Sequence, residues 1–435
     1  MSRAIYKRNL FYSALRPYVD YCTRSVYSKI IIDGEENLPK DGAVILAPNH
    51  CNALMDALVI LRAFPGPTVF GARADIFRSP AAACALRFLK ILPMVRMRDG
   101  LHNVIRNRET TEEIVGVLEN GVRFCMFNEG THRTMRSLLP VGKGIFRIAV
   151  TAAERSGKGR PVYVVPVGLE YGDYFRYKST LTMTYGKPIN VTEALKEYDG
   201  TGEAELYRKL REMLAERLAG LITCIKDDGT YEAKWILAKV SSSGKQLDQQ
   251  SLIAYNRATV SGLERLEETK PEKAAELYAE AVAFDKERLA GKVSYLSLGQ
   301  ENQKWRILFR TLTAIIGLPY FLWCSVMAFP MWATAEYLCR YRIKDRAFLN
   351  TARFGVKLAM SPIMIAVWAA WFFSTLPWQF ATLLLLLNLA SYSKFYEYTK
   401  FMRILISDFR LMGNSRLREK FSRLSSEIED KVYGH

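Results

Sequence analysis

The stretch "GAVILAPNHCNALMDALVILRA", residues 42–63, joins two kinds of pattern through a short polar turn. "GAVILAPN" is a β-branched, apolar run that predicts a buried strand, and residues 54–63 carry the apolar content of a helix. Between residues 46 and 60 only His50, Asp56 and two asparagines are polar. The chain has four histidines in all, so one at a strand end with a carboxylate six positions on is a candidate for chemistry.

On a regular helix six positions rotate a side chain by about 240°, so His50 and Asp56 would not share a face. They meet only if His50 lies in the turn before the helix and folds back. A histidine held by a carboxylate is a general-base arrangement, because the carboxylate fixes the tautomer and stabilises the imidazolium. A helix-start histidine bonded to backbone, with Asp56 an ordinary polar residue, satisfies the same spacing. Spacing alone leaves both open.

Outward from this stretch the pattern repeats. Strand candidates are "KIIIDG", "GAVILAPN", "PTVFGAR", "RFCMFNEG", "PVYVVPVGLEY" and "LTMTYGKPI", with helix candidates at 54–63, 81–90, 106–119 and 143–156. The alternation predicts an α/β domain over 28–200, with helices on a largely parallel sheet and function at the strand ends. Three further polar blocks sit at such ends. "FNEGTHRT" (127–134) places Glu129, Gly130, Thr131 and Arg133 after a strand, with Arg136 close behind. "LLPVGKGIFRIAV" puts Lys143 between glycines at a helix head, which suits phosphate. "LPMVRMRDG" (92–100) ends an apolar run in Arg96 and Arg98, residues suited to bidentate phosphate contact.

The rest of the chain bounds the partners. A formal charge of +17 calls for an acidic partner or surface: nucleic acid, anionic lipid or a phosphorylated substrate. The seven cysteines are scattered without a C-x-x-C pair, which argues against a zinc site or a disulfide framework. Residues 1–27 interleave Tyr, Phe, Arg and Lys, so they read as an amphipathic helix rather than a signal peptide. That helix suits either an anionic membrane surface or its own domain. Residues 201–305 are rich in Glu, Lys, Arg, Ala and Leu and read as a charged, solvent-facing helical spacer. Within 306–395, residues 311–335 carry no charge, and the apolar run 358–393 is interrupted only near Pro362 and Pro377. Runs of about 20 apolar residues are long enough to cross a bilayer, so these are predicted membrane segments, followed by a basic helical tail at 396–435. All the flanks are basic, which leaves full spans and re-entrant hairpins both open. An apolar C-terminal region of this kind speaks for lipid and against nucleic acid as the partner of the charge.

In order, the blocks resemble the phospholipid/glycerol acyltransferase family over roughly residues 30–190. "NHCNALMD" resembles its N-H-x4-D block, "ARADIFRSP…FLKILPMVR" the block that ends in an arginine (here Arg96), "FNEGTHRT" its F-P-E-G-T-R-S block, and "VVPVGLEY" the fourth. The resemblance implies direct transfer of an acyl group from a thioester to a glycerolipid hydroxyl. His50 would be the base, Asp56 would stabilise its imidazolium, and Arg96, Glu129, Gly130, Thr131, Arg133 and Lys143 would form the acceptor site. It implies no metal and no cofactor, with acyl-CoA or acyl-carrier protein as co-substrate. It also implies a glycerol-phosphate or lysophospholipid acceptor, while the apolar runs and the basic loop between them predict an integral membrane protein with its catalytic domain on the cytoplasmic side. The expected acceptor is 1-acylglycerol 3-phosphate. Glycerol 3-phosphate, another lysophospholipid, or a catalytically inactive lipid-binding protein are the alternatives. Three departures stand out: five residues rather than four separate His50 from Asp56, Asn128 and His132 replace the usual proline and arginine, and Gly142 takes the place of a lysine.

Overall fold

The computed structural model describes residues 4–94, 102–156, 159–198, 202–301 and 303–433. It divides into two compact units, Met1–Leu221 with Lys344–Phe354, and Ile222–Ile343 with Gly355–His435.

The first unit is built on an eight-stranded sheet: β1 (Tyr27–Asp33), β2 (Ala43–Pro48), β3 (Thr68–Arg73), β4 (Ile91–Met94), β5 (Arg123–Met126), β6 (Val162–Tyr171), β7 (Ser179–Tyr185) and β8 (Ile189–Asn190). Its order is β1-β7-β6-β2-β5-β3-β4, with β8 on β6, and every pairing is parallel except β6 with β7 and with β8. This is the expected largely parallel sheet. β2 is buried along its whole length and β6 at nine of its ten positions, as strands covered on both faces must be. The flanking helices are α1 (Leu10–Val26), α2 (Leu54–Ala63), α3 (Pro80–Phe88), α4 (His102–Glu119), α5 (Gly144–Ser156), α6 (Val191–Glu197) and α7 (Glu203–Ala219).

Two features position the site. The central strands β5, β2 and β6 run parallel side by side, so their C-terminal ends deliver "FNEG", "NHCN" and Tyr171 to one edge. β6 also outruns β2, since Pro48 pairs with Val167 and four more residues carry β6 on to Tyr171. That overhang brings Tyr171 alongside the turn that follows β2.

The charged region does not behave as one solvent-facing spacer. Leu206, Leu210, Leu214 and Leu218 of α7 are buried in the core of the first unit, together with Ile45, Phe124 and Ile145. At about 1.5–3 kcal/mol for each buried leucine, this stripe outweighs the charged face opposite it. In the second unit α8 (Tyr231–Ser242), α9 (Gln249–Thr269) and α10 (Pro271–Ala290) share a core with α16 (Ser415–Ile428), in which Leu237, Leu263, Leu277, Phe284, Leu424 and Ile428 are buried. A short α11 (Tyr295–Leu298) leads into α12 (Gln303–Tyr337), and α13 (Leu349–Thr375), α14 (Trp378–Leu389) and α15 (Ser391–Met412) follow. The apolar run 358–393 is therefore broken at Leu376–Pro377, with Pro377 capping α14. Among the described residues two stretches, Gln303–Arg342 and Arg346–Thr375, are long and apolar enough to cross a membrane. The N-terminal helix α1 packs in the first unit, where Tyr12, Cys22 and Val26 are buried, while Leu10 and Phe11 face outward.

Candidate active site

β2 ends at Pro48, and the chain turns through Asn49–Ala53 into α2. The Asn49 amide anchors the start of that turn, accepting from the Leu169 N–H at 2.7 Å and donating to the Leu169 carbonyl at 3.1 Å. Ala53 adopts φ 46°, a conformation that costs a residue with a Cβ on the order of 1–3 kcal/mol. This strained step lies between His50 and Asp56, directly before α2. Asp56 then sits in the first turn of α2, where side chains tilt toward the helix N-terminus and reach back over the turn.

The two side chains meet: His50 Nδ1 lies 2.8 Å from Asp56 Oδ2. Asp56 is fully buried. Its Oδ2 also accepts from the Cys51 N–H (2.8 Å) and the Asn52 N–H (2.7 Å), and its Oδ1 accepts from the Tyr171 hydroxyl (2.6 Å). A buried carboxylate is tolerable only when its lone pairs are filled, and these donors fill them. A carboxylate only accepts, so Nδ1 carries the proton of the His50 bond. Nε2 is the ring nitrogen that this bond leaves available to exchange a proton. Tyr171 is itself held at the strand end, where Arg136 Nη2 donates to its carbonyl at 2.6 Å.

Glu129 shapes the turn after β5: its carboxylate accepts the His50 N–H at 2.9 Å and the Leu139 N–H at 3.0 Å, so it ties two loops together. Burial raises its pKa, and those two N–H groups pull the other way. Gly130 follows at φ 68°, the left-handed conformation that favours glycine. The Arg133 N–H donates to the His50 carbonyl at 2.9 Å, fixing the histidine backbone from the other side. Asn128, where the family has proline, donates from Nδ2 to the Gly142 carbonyl (2.9 Å), and its own carbonyl accepts the Gly142 N–H (3.0 Å). This clasp draws the Lys143 loop against the Glu129 turn.

The His50 ring stacks on Phe127 at 4.2 Å and meets His132 edge-on at 5.6 Å. His132 Nε2 bonds Asp345 Oδ2 at 2.8 Å and packs edge-on against Phe348 at 5.3 Å. Asp345 and Phe348 belong to the segment Lys344–Phe354, which is fastened to the first unit by Asn350 on the Tyr174 carbonyl (2.9 Å) and Arg353 on the Phe175 carbonyl (2.7 Å).

His50 opens on a cleft of about 1900 Å³. Apolar side chains such as Leu15, Leu58 and Ile91 line it together with the cations Arg108, Lys143 and Arg147. Glu129, Gly130, Thr131, His132 and Phe348 line it as well. Arg96 lies outside the described residues. The arrangement is chemically specific: a proton acceptor backed by a buried carboxylate, at the wall of a cleft both apolar enough for an acyl chain and cationic enough for phosphate. Burial, and after it the Asp56 charge, push the Cys51 thiol well above the ordinary range, which disfavours its thiolate. Sequence reading missed Tyr171 and Asp345. Tyr171 closes the quoted fourth block, but nothing in its spacing shows that its hydroxyl reaches Asp56. Asp345 lies 213 positions from His132 in the chain.

Comparisons with known proteins bear on this geometry. Residues 29–170 match the Acyltransferase family. Over 123 residues the chain is 30% identical to the 1-acyl-sn-glycerol-3-phosphate acyltransferase of Borreliella burgdorferi, a match covering 28% of this chain and 46% of that protein's length. The 1-acyl-sn-glycerophosphate (LPA) acyltransferase PlsC of Thermotoga maritima aligns at 24% identity and TM-score 0.35, over 49% of this chain and 86% of that one. The matched region, residues 29–170, is the one that carries the His50–Asp56 pair, and the chain spans about half the length of the curated relative it matches.

Proposed function

We propose that the chain is a membrane-bound O-acyltransferase. It moves an acyl group from a thioester, acyl-CoA or acyl-carrier protein, to the hydroxyl of 1-acylglycerol 3-phosphate, and it uses no cofactor. The observation that carries this reading is His50, with Nδ1 on the buried Asp56 carboxylate and its ring at the wall of the cleft. His50 Nε2 takes the proton of the acceptor hydroxyl as the oxygen attacks the thioester carbonyl. The C–S bond then breaks, and the departing sulfur takes the proton back from the imidazolium. Asp56 and Tyr171 keep the charged ring in place during the step. Arg96, by its family position, and Lys143, with Gly130 and Thr131 beside it in the cleft wall, hold the acceptor phosphate. Glu129 and Arg133 act through the backbone of His50. The name of the Borreliella burgdorferi relative supports the acceptor. The +17 charge and the two long apolar helices support a site that works at an anionic membrane surface. Arg340, Arg342, Lys344 and Arg346, between those helices, favour the cytoplasmic side.

An acceptor panel tests this. Membranes containing the full chain are given labelled acyl-CoA or acyl-carrier protein with 1-acylglycerol 3-phosphate, glycerol 3-phosphate or neutral lysolipids. The expected product is phosphatidate from 1-acylglycerol 3-phosphate. Product from glycerol 3-phosphate or a neutral lysolipid alone reassigns the acceptor, and no product with any pair sinks the enzymatic reading.

A further inference from the structure

The path of the chain constrains how it meets a bilayer. Lys344–Phe354 follows the first long apolar stretch and includes the start of the second, yet it is part of the first unit, bonded to it through His132–Asp345, Asn350–Tyr174 and Arg353–Phe175. Whatever side of a membrane the first unit occupies, this segment occupies too. The other end of α12 reaches the first unit along the chain through residues 222–301. Among the described residues, the stretches long and apolar enough to cross are Gln303–Arg342 and Arg346–Thr375, both beyond that connection. One helix therefore leads from one side of the membrane back to the same side, and a single helix that crosses once cannot do that.

We infer that Gln303–Arg342 does not cross the bilayer but lies in one leaflet, so the C-terminal region is a one-sided membrane anchor. At 1.5 Å per residue a 40-residue helix is about 60 Å long, twice the roughly 30 Å hydrocarbon core, which suits a helix lying along the membrane better than one standing in it. Its outward side chains include Trp305, Phe309, Ile316 and Val326, all more than three-fifths exposed, which fits lipid as their covering. The remaining apolar helices obey the same count. α16 shares a core with α8–α10, so the chain returns to the starting side after α13 and α14. α14 has 12 residues, about 18 Å, too short to make that return across a full bilayer, so α13–α14 dips in and comes back with Trp378 near its tip. The partner is the acyl-chain region of a single leaflet beneath anionic headgroups.

The inference rests on the membrane association proposed above, and the experiment separates the two. The unmodified full chain is placed in sealed vesicles of both orientations, treated with trypsin from outside, and its peptides are identified. The expected result is cleavage at Lys286 or Lys292, before α12, and at Arg342 or Lys344, after it, in the same orientation, with both protected in the other. A Trp378→Cys variant should resist a membrane-impermeant thiol reagent in both orientations, relative to its parent. Cleavage of the two flanks in opposite orientations, or labelling at position 378 from the face opposite the first unit, overturns the one-sided anchor while leaving membrane association intact. A chain that does not sediment with vesicles removes both.

Discussion

Two histidine–carboxylate pairs lie side by side in the first unit and share a 2.8 Å separation, yet they differ in almost everything that decides function. Asp56 is wholly buried and accepts from two backbone amides and a tyrosine hydroxyl besides His50. The Asp345 side chain is 54% exposed and is fixed within its own loop by the Ala347 N–H at 2.9 Å. That amide, and after it His132, hold the Asp345 carboxyl below the usual range. His50 bonds through Nδ1 and keeps Nε2 for the cleft, whereas His132 bonds through Nε2. A short distance therefore does not make a catalytic pair. What distinguishes the two pairs is the support behind the carboxylate and the nitrogen left over.

Substitutions at the two pairs and their supports should differ widely in effect. The largest effect should come from Asp56→Asn, which offers His50 an amide in place of a charge and turns acceptor lone pairs toward donors. Acyl transfer should fall by about 10²–10⁴-fold, the range for losing general-base function, and chemical denaturation should show a loss of about 1–3 kcal/mol. Tyr171→Phe removes one hydroxyl and keeps the ring. Its cost should be about 1–2 kcal/mol, read as a fall in transfer of roughly tenfold with acceptor KM little changed.

Glu129→Gln should act on pH dependence. Burial raises the native Glu129 pKa above its ordinary 4.5, so the native state binds that proton more tightly than the unfolded chain does. Stability from this group is present at low pH and is lost as pH rises from the ordinary value through the raised one. Glutamine should flatten that part of a stability-against-pH curve, and a curve unchanged in shape would contradict the assignment. The smallest effect belongs to Asp345→Asn, where an exposed pair is worth about 0–1 kcal/mol, and transfer should stay within a few-fold of wild type.

The two pairs were unequally legible in sequence. His50 and Asp56 fall in one block, and the resemblance turned an ambiguous spacing into an expected pair, whose contact the structure shows. How the turn between them lets the side chains meet could not be read, because the left-handed φ of Ala53 is not coded by any local pattern. Tyr171 reaches Asp56 from 115 positions away, through an overhang set by strand register. Asp345 depends on a segment between two apolar helices folding into a unit that begins more than 300 residues earlier. Local patterns identified strands and helices closely, as with 54–63. They misread 201–305, where the density of charge masked the i, i+4 leucine stripe of α7.

The most direct measurement sets the two histidines against each other: initial rates of acyl transfer by His50→Ala and His132→Ala, each paired with a thermal melt. Transfer should collapse in His50→Ala and survive within about tenfold in His132→Ala, with both chains retaining a cooperative melt. Wild-type rates in a folded His50→Ala, or equal losses in the two variants, would contradict the assignment of His50 as the base.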